Sequence, residues 1–428
     1  MKKRPTFVEQ RSLTLKPQHI AIRACCAAFL ALTLVFGSLP RQATASPSGA
    51  AAPDLRVVYT QHENVFLLDT ASGRTLQLTT RGGQGDVDYP GYAWSPDGRY
   101  LLLVRDNRTT LAKDVLLLDR TGTVLRTLAS TATSSVFQPS WAADSDIVAY
   151  VATTTQAAAG PPGVIDHLWS VDPSGRRAPL WSFVEAMGCG GGTSDPSAQL
   201  HWRETGFGGV AMTFSWRTAQ HLAVYTPTLC AGTVDVTDTR TGQTGQLGRH
   251  PSQWGEGVLA PNGTVVAAVI GGGQDRTVVL AAPRAGALGR EVAAGELPAW
   301  SPDGRVLYFV RRTPGPLLHL RDSLGNETDS QTYTTEVWQS RADGTRPRRI
   351  ASFDAFGAGP LHVAPDGRSL VFARVDNSWT LWRHRLAGNI VTDALVARYG
   401  PRVAVVRLSL DGTLRTLVAD AGQPALQP

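Results

Sequence analysis

Few side chains in this 428-residue chain are spaced for chemistry, and those that stand out are carboxylates and aromatics opening β-rich runs: Asp88 and Tyr89, Glu204, Trp254 and Glu256, Glu296, and Asp354. Gathered around one opening, several carboxylates would hold a divalent cation or a basic peptide; otherwise they would only hydrate that opening. No Gly-x-Ser-x-Gly elbow marks a serine nucleophile. No His-x-x-His, Cys-x-x-Cys or acidic calcium-loop spacing marks a metal site. No catalytic residue and no resident cofactor is therefore assigned, with a divalent cation at the carboxylates left open.

The elements that must position these residues are repeats. A Trp or apolar residue, a Ser/Ala-Pro-Asp-Gly turn and a β-rich run recur, most clearly as Ala93-Trp94-Ser95-Pro96-Asp97-Gly98-Arg99 before Tyr100 and as Ala299-Trp300-Ser301-Pro302-Asp303-Gly304-Arg305 before Val306. Weaker copies begin at Trp141, Trp216, Leu259 and Val363. Pro presets φ at the first turn position and Asp-Gly or Asn-Gly supplies the positive φ that reverses the chain, so these aspartates are turn formers before they are ligands. A second turn class follows, as in Asp119-Arg120-Thr121-Gly122 and Arg341-Ala342-Asp343-Gly344, giving seven turns of the second class against six of the first.

With four strands, A to D, in each unit, the first turn closes A to B and the second C to D. Four-stranded units about 40 to 75 residues apart predict an all-β propeller of antiparallel blades, seven by this count and six as the alternative. The N-terminal unit, from Arg56 to Leu78, lacks an A strand. The Ser-Pro-Asp-Gly-Arg repeats resemble the WD40-related repeats of TolB-type periplasmic propellers and of the propeller domains of prolyl-oligopeptidase-type enzymes. The resemblance spans about residues 55 to 420 and implies architecture more than function. No mixed α/β domain precedes the repeats, which departs from TolB.

The N-terminus has the form of a secretory signal: basic residues from Lys2 to Arg23, an apolar run from Ala24 to Phe36, and Ala43-Thr44-Ala45 as a cleavage site. The apolar run is shorter than the ~20 residues that cross a bilayer; an uncleaved anchor is the other reading. The expected organisation is residues 1–45 signal, 46–54 linker, 55–420 propeller and 421–428 flexible tail, in a bacterial-type exported protein, secreted or periplasmic.

The leader holds seven of the 41 basic and one of the 35 acidic residues, so 34 of each remain. The overall +6 charge belongs to the leader, and the inference from basic protein to nucleic acid or anionic membrane fails. Cys189 and Cys230 remain after cleavage and, in an oxidising compartment, read as a disulfide.

Long connections collect on one face. The B-to-C segments Thr153 to Asp166, Arg312 to Thr335 and Asp376 to Pro401, and the D-to-A segment from Glu185 to about Gly209, all lie opposite the short turns, where a rigid scaffold presents recognition loops. The residues opening each A strand would ring the central channel at this face. The expectation is a monomeric, non-catalytic module binding a protein, peptide or cell-envelope polymer there. A hydrolase or lyase with a carboxylate-lined, metal-dependent channel is the alternative, and an envelope scaffold a third.

Overall fold

The computed structural model describes residues 54–427 except 83–86, 108, 111, 132–135, 142–147, 157–162, 187–214, 218–221, 226–234, 239–243, 247–253, 272–274, 285 and 401. The leader, Glu204, Cys189 and Cys230 lie outside the described residues.

The described strands form seven antiparallel sheets. Blade 2 shows the plan: Val87–Trp94, Tyr100–Asn107, Lys113–Asp119 and Val124–Thr131 pair in sequence order. Blade 3 runs from Val136 to Ala186, blade 4 from Ser215 to Gln246, blade 5 from Trp254 to Ala294, blade 6 from Glu296 to Asp354, and blade 7 from Gly357 to Ala419. First strands touch in turn from blade 4 through blades 5, 6 and 7 to blade 1 and on to blades 2 and 3, so that the last blade meets the first.

Blade 1 carries a correction to the expected flexible tail. Arg56–Gln61, Asn64–Asp69 and Thr75–Gln77 supply strands B to D, and Gly422–Leu426 pairs antiparallel with Arg56–Gln61 as the missing A strand. The two ends of the chain thus close the ring inside one blade. Gln427 extends the lock: its N–H donates to the Arg56 carbonyl at 2.9 Å and its amide to the Gly98 carbonyl at 2.6 Å.

Short-range chemistry makes the turns. In the blade 6 turn the Gly304 N–H donates to the Ser301 carbonyl at 2.8 Å, with Gly304 at φ 68°, the left-handed value that favours glycine. Asp303 Oδ1 accepts from the Ser301 hydroxyl at 2.6 Å and from the Arg305 N–H at 3.1 Å. These two donors hold its carboxyl below the usual range. Blade 2 repeats the pattern with Ser95, Asp97, Gly98 and Arg99.

Side chains alternate between blade faces, and each face packs on a different neighbour. Leu101 and Leu103 join Val58, Val65 and Leu67 of blade 1, whereas Leu102 points the other way, towards Trp141 and Val148 of blade 3. Central strands buried on both sides must therefore be apolar throughout, as Val266–Ile270 is. The tryptophans before the turns wedge between blades: the Trp141 indole N–H donates to the Ala93 carbonyl at 3.2 Å and that of Trp300 to the Val258 carbonyl at 3.1 Å, each on the first strand of the preceding blade.

The long segments of blades 6 and 7, expected as loops, are ordered. Val306–Asp322 and Glu327–Arg341 continue the B and C strands of blade 6 outwards as one hairpin, with a register shift between Pro314 and Leu317 that bends it. The blade 7 segment contains α1 (Ser378–Leu386), a short strand Asn389–Ile390 that pairs with Arg321 and Asp322 of the hairpin, and α2 (Asp393–Tyr399). Leu318, Leu320, Leu381 and Tyr399 are buried together between them, with Val391 and Leu395 packed alongside. Two insertions from neighbouring blades thus make one cap with its own small core.

Candidate functional site

Beneath the cap, on the face that carries the long connections, lies a cleft whose walls come from blades 5, 6 and 7. Glu296 opens the first strand of blade 6, and its side chain is nearly buried. Arg276 reaches it from just before the third strand of blade 5, with Nη1 donating to Oε2 at 2.7 Å. Arg312, at the level where blade 6 passes into the hairpin, places Nε 2.6 Å from Oε1. Both oxygens of the carboxylate are therefore engaged by guanidinium groups.

Aromatic rings fix Arg312 from its other side. Its guanidinium lies 5.5 Å from the Tyr333 ring centre and 5.9 Å from that of Phe356, and these two rings meet edge to face at 5.4 Å. Two hollows of about 420 Å³ each share the Arg276–Glu296–Arg312 wall. One is polar, with Asp275, Thr277, Arg311 and Thr313 around it. The other is apolar, bounded by Leu297, Phe356, Ala358, Val375, Trp379 and Val403. Leu297 stands at φ 54°, a left-handed conformation unusual for leucine, at the register shift between Glu296 and Ala299.

Asn377 ties the cap to this cleft. It precedes α1 but makes no side-chain cap to the helix. Its amide instead exchanges two 2.9 Å hydrogen bonds with the Tyr333 backbone, Nδ2 donating to the carbonyl and Oδ1 accepting from the N–H, while Nδ2 also donates to Asp354. Next to it, Asp376 is buried beside Arg374, whose Nε is 2.7 Å from Oδ1. Burial pushes its carboxyl up against the opposing pull of Arg374.

The residues singled out from sequence fall into three groups. Asp88, Trp254 and Glu296 occupy equivalent places on the first strands of blades 2, 5 and 6, each followed by a register shift three residues on. Of Asp88, Tyr89, Trp254 and Glu256 the strand is described and the side chain is not. Asp354 departs from the expected position: it ends the outer strand of blade 6, Arg348–Asp354, rather than opening an A strand, because the first strand of blade 7 begins only at Gly357. Glu204 lies outside the described residues.

Sequence reasoning missed Arg276, Arg312, Tyr333, Phe356 and Trp379. Arg276 stands just before a strand of blade 5, Glu296 opens one of blade 6 and Arg312 lies within the long strand Val306–Asp322, so no local spacing in the sequence signals that they meet. Among the described residues, no group of three His, Cys, Asp or Glu side chains is arranged to hold a metal ion. Glu296, with both oxygens held by arginines, does not fit a cation.

No family model and no curated protein matches this chain. Among solved structures, an oligogalacturonate lyase from Vibrio parahaemolyticus superposes over 86% of this chain and 85% of its own, with 12% identity and a TM-score of 0.52. An oligogalacturonate lyase in complex with manganese covers the same shares at 14% identity and a TM-score of 0.50. The chain is a β-propeller. TolB from Acinetobacter baumannii is also similar, over 86% of this chain and 81% of its own, with 14% identity and a TM-score of 0.41. The fold assignment rests on the lyases, and at such identities the likeness extends to the fold alone.

Proposed function

We propose that this propeller is an exported, non-catalytic binding module that grips a protein or peptide through the capped face. One observation carries the reading: insertions from two blades are folded into a cap with a core of its own, clamped through Asn377 onto the wall of a cleft. Short turns would suffice to join the strands, as they do in blade 2, so the extra ordered surface serves recognition. The enzyme reading draws on a carboxylate-lined channel, and it loses Glu296 as a free ligand to the two arginines. The module acts as a monomer, with neither nucleic acid nor membrane as partner.

The test is recovery of a partner from a cell-envelope fraction by the mature chain and by a variant with residues 316–331 replaced by a Gly-Ser turn. The reading expects a partner retained by the first and lost by the second, with both melting cooperatively. Equal recovery by both, or none by either, would remove it.

A further inference from the structure

We infer that the cleft under the cap binds a peptide through a carboxylate set beside an apolar side chain. This deepens the binding reading above and rests on it. Arg276 and Arg312 hold Glu296, and with Arg311 and Asp275 also among the lining residues the walls carry a net positive charge. Arg311 is exposed at the rim and has no ion-pair partner among the described residues. Arginine offers five N–H donors in a planar fork. In the described contacts Arg276 gives one nitrogen to Glu296, and two-fifths of its side chain remains exposed.

Glu296 does not neutralise the cleft so much as organise it. A buried carboxylate between two arginines, with Tyr333 and Phe356 against the second, fixes the guanidinium planes before any ligand arrives. Fixing them beforehand lowers the ordering cost of binding. A carboxylate entering the polar hollow would meet preset donors in the bidentate geometry that guanidinium prefers.

The neighbouring hollow decides what the carboxylate is attached to. Leu297, Ala358, Val375 and Val403 give its wall aliphatic surface, with the Phe356 and Trp379 rings completing it. Such a wall rewards burial of a leucine-sized side chain and offers little to the hydroxyls of a sugar, whose desolvation would go uncompensated. A peptide supplies an apolar side chain and a carboxylate a few ångströms apart, either as its C-terminus or as an Asp or Glu side chain.

Three probes separate the possibilities: N-acetyl-leucyl-leucine, its C-terminal amide, and N-acetyl-aspartyl-leucinamide, each titrated calorimetrically at low ionic strength into the full mature chain. At least one acid should bind about tenfold or more tightly than the amide, the size of one charge-assisted contact, and which acid does so names the source of the carboxylate. The triple variant Arg276→Gln/Glu296→Gln/Arg312→Gln, which removes both arginines together with the carboxylate they hold, should abolish that preference. Arg284→Gln, on the opposite face, should leave it unchanged.

Equal binding of acids and amide, or a preference that survives the triple variant, overturns the inference, as does tighter binding of glucuronate than of either peptide acid. Failure here, with a partner still lost on trimming 316–331, would remove the carboxylate site and leave the binding module standing. Failure of both would remove the module as well.

Discussion

Blades 2 and 6 begin alike and end differently. Both carry Trp-Ser-Pro-Asp-Gly-Arg, and both close the A-to-B turn with the same Ser–Asp–Gly hydrogen bonds. Beyond that turn, the B and C strands of blade 2 have 8 and 7 residues, whereas those of blade 6 have 17 and 15. The turn face is repeated because each blade closes its A and B strands there, and in blades 3 and 6 it seats a tryptophan on the blade before. The opposite face is free of that demand, and there blades 6 and 7 spend chain on a cap. The ring is therefore set by blade packing while the cap carries the proposed recognition, and substitutions can separate the two.

The largest effect should come from the ring's closure. Removing residues 421–428 deletes the first strand of blade 1 and uncovers Leu55, Val57 and Val58. A chain ending at Asp420 is expected to lose its cooperative thermal transition. If it melts within a few degrees of the full chain, ring closure does not depend on that strand. Next, Trp300→Ala should cost about 3–5 kcal/mol in denaturant unfolding, since it empties an interblade wedge and frees the Val258 carbonyl. A loss below about 1 kcal/mol would show that the blades are not held together by these wedges.

The same contrast explains what could be read in advance. Ser-Pro-Asp-Gly is legible because its geometry is local: a hydrogen bond from residue i+3 back to residue i, and one glycine at positive φ. The strand at Gly422–Leu426 is not, because five residues with Gly and Pro among them carry no alternation and their partner is more than 360 residues away. In the hairpin, Pro314-Gly315-Pro316 reads as a break, yet the structure carries the strands through it by a register shift. The helices of the cap, at 9 and 7 residues, are too short for a 3.6-residue period to stand out. Glu296 is visible as a strand-opening acid, while its arginine partners come from two different blades and meet it only in three dimensions.

The ring should also carry an acid response distinct from that of the turns. His362 lies partly buried on the first strand of blade 7, and burial pushes its pKa from 6.5 down to about 4. The unfolded chain therefore binds the proton first, so stability falls as pH drops from about 6.5 towards 4 and flattens below that. The loss is at most about 3 kcal/mol, and less where channel water reaches the ring. His362→Gln should flatten unfolding free energy across that window. The turn aspartates Asp303, Asp343 and Asp411 have lowered pKa values, so their contribution is lost only below the usual 3.8. A loss between pH 6.5 and 4 that persists in His362→Gln would assign it to other groups.

The smallest effect on stability should come where the cap meets the ring. Asn377→Ala removes both amide bonds to the Tyr333 backbone and the one to Asp354, but leaves the Leu318, Leu320, Leu381 and Tyr399 core in place. Asn377 is fully buried, but the Tyr333 carbonyl also accepts from the Ala355 N–H at 3.2 Å, so the cost should stay within about 1–3 kcal/mol, that of a lost buried hydrogen bond. Hydrogen exchange should report it more sharply than melting does, with amides of α1 and of the hairpin near Tyr333 exchanging faster while Val266–Ile270 and Leu101–Val104 keep their protection. If blade amides lose protection in step with the cap, then cap and ring unfold as one unit. The division between blade 2's bare end and blade 6's capped end would then be one of shape and not of energy.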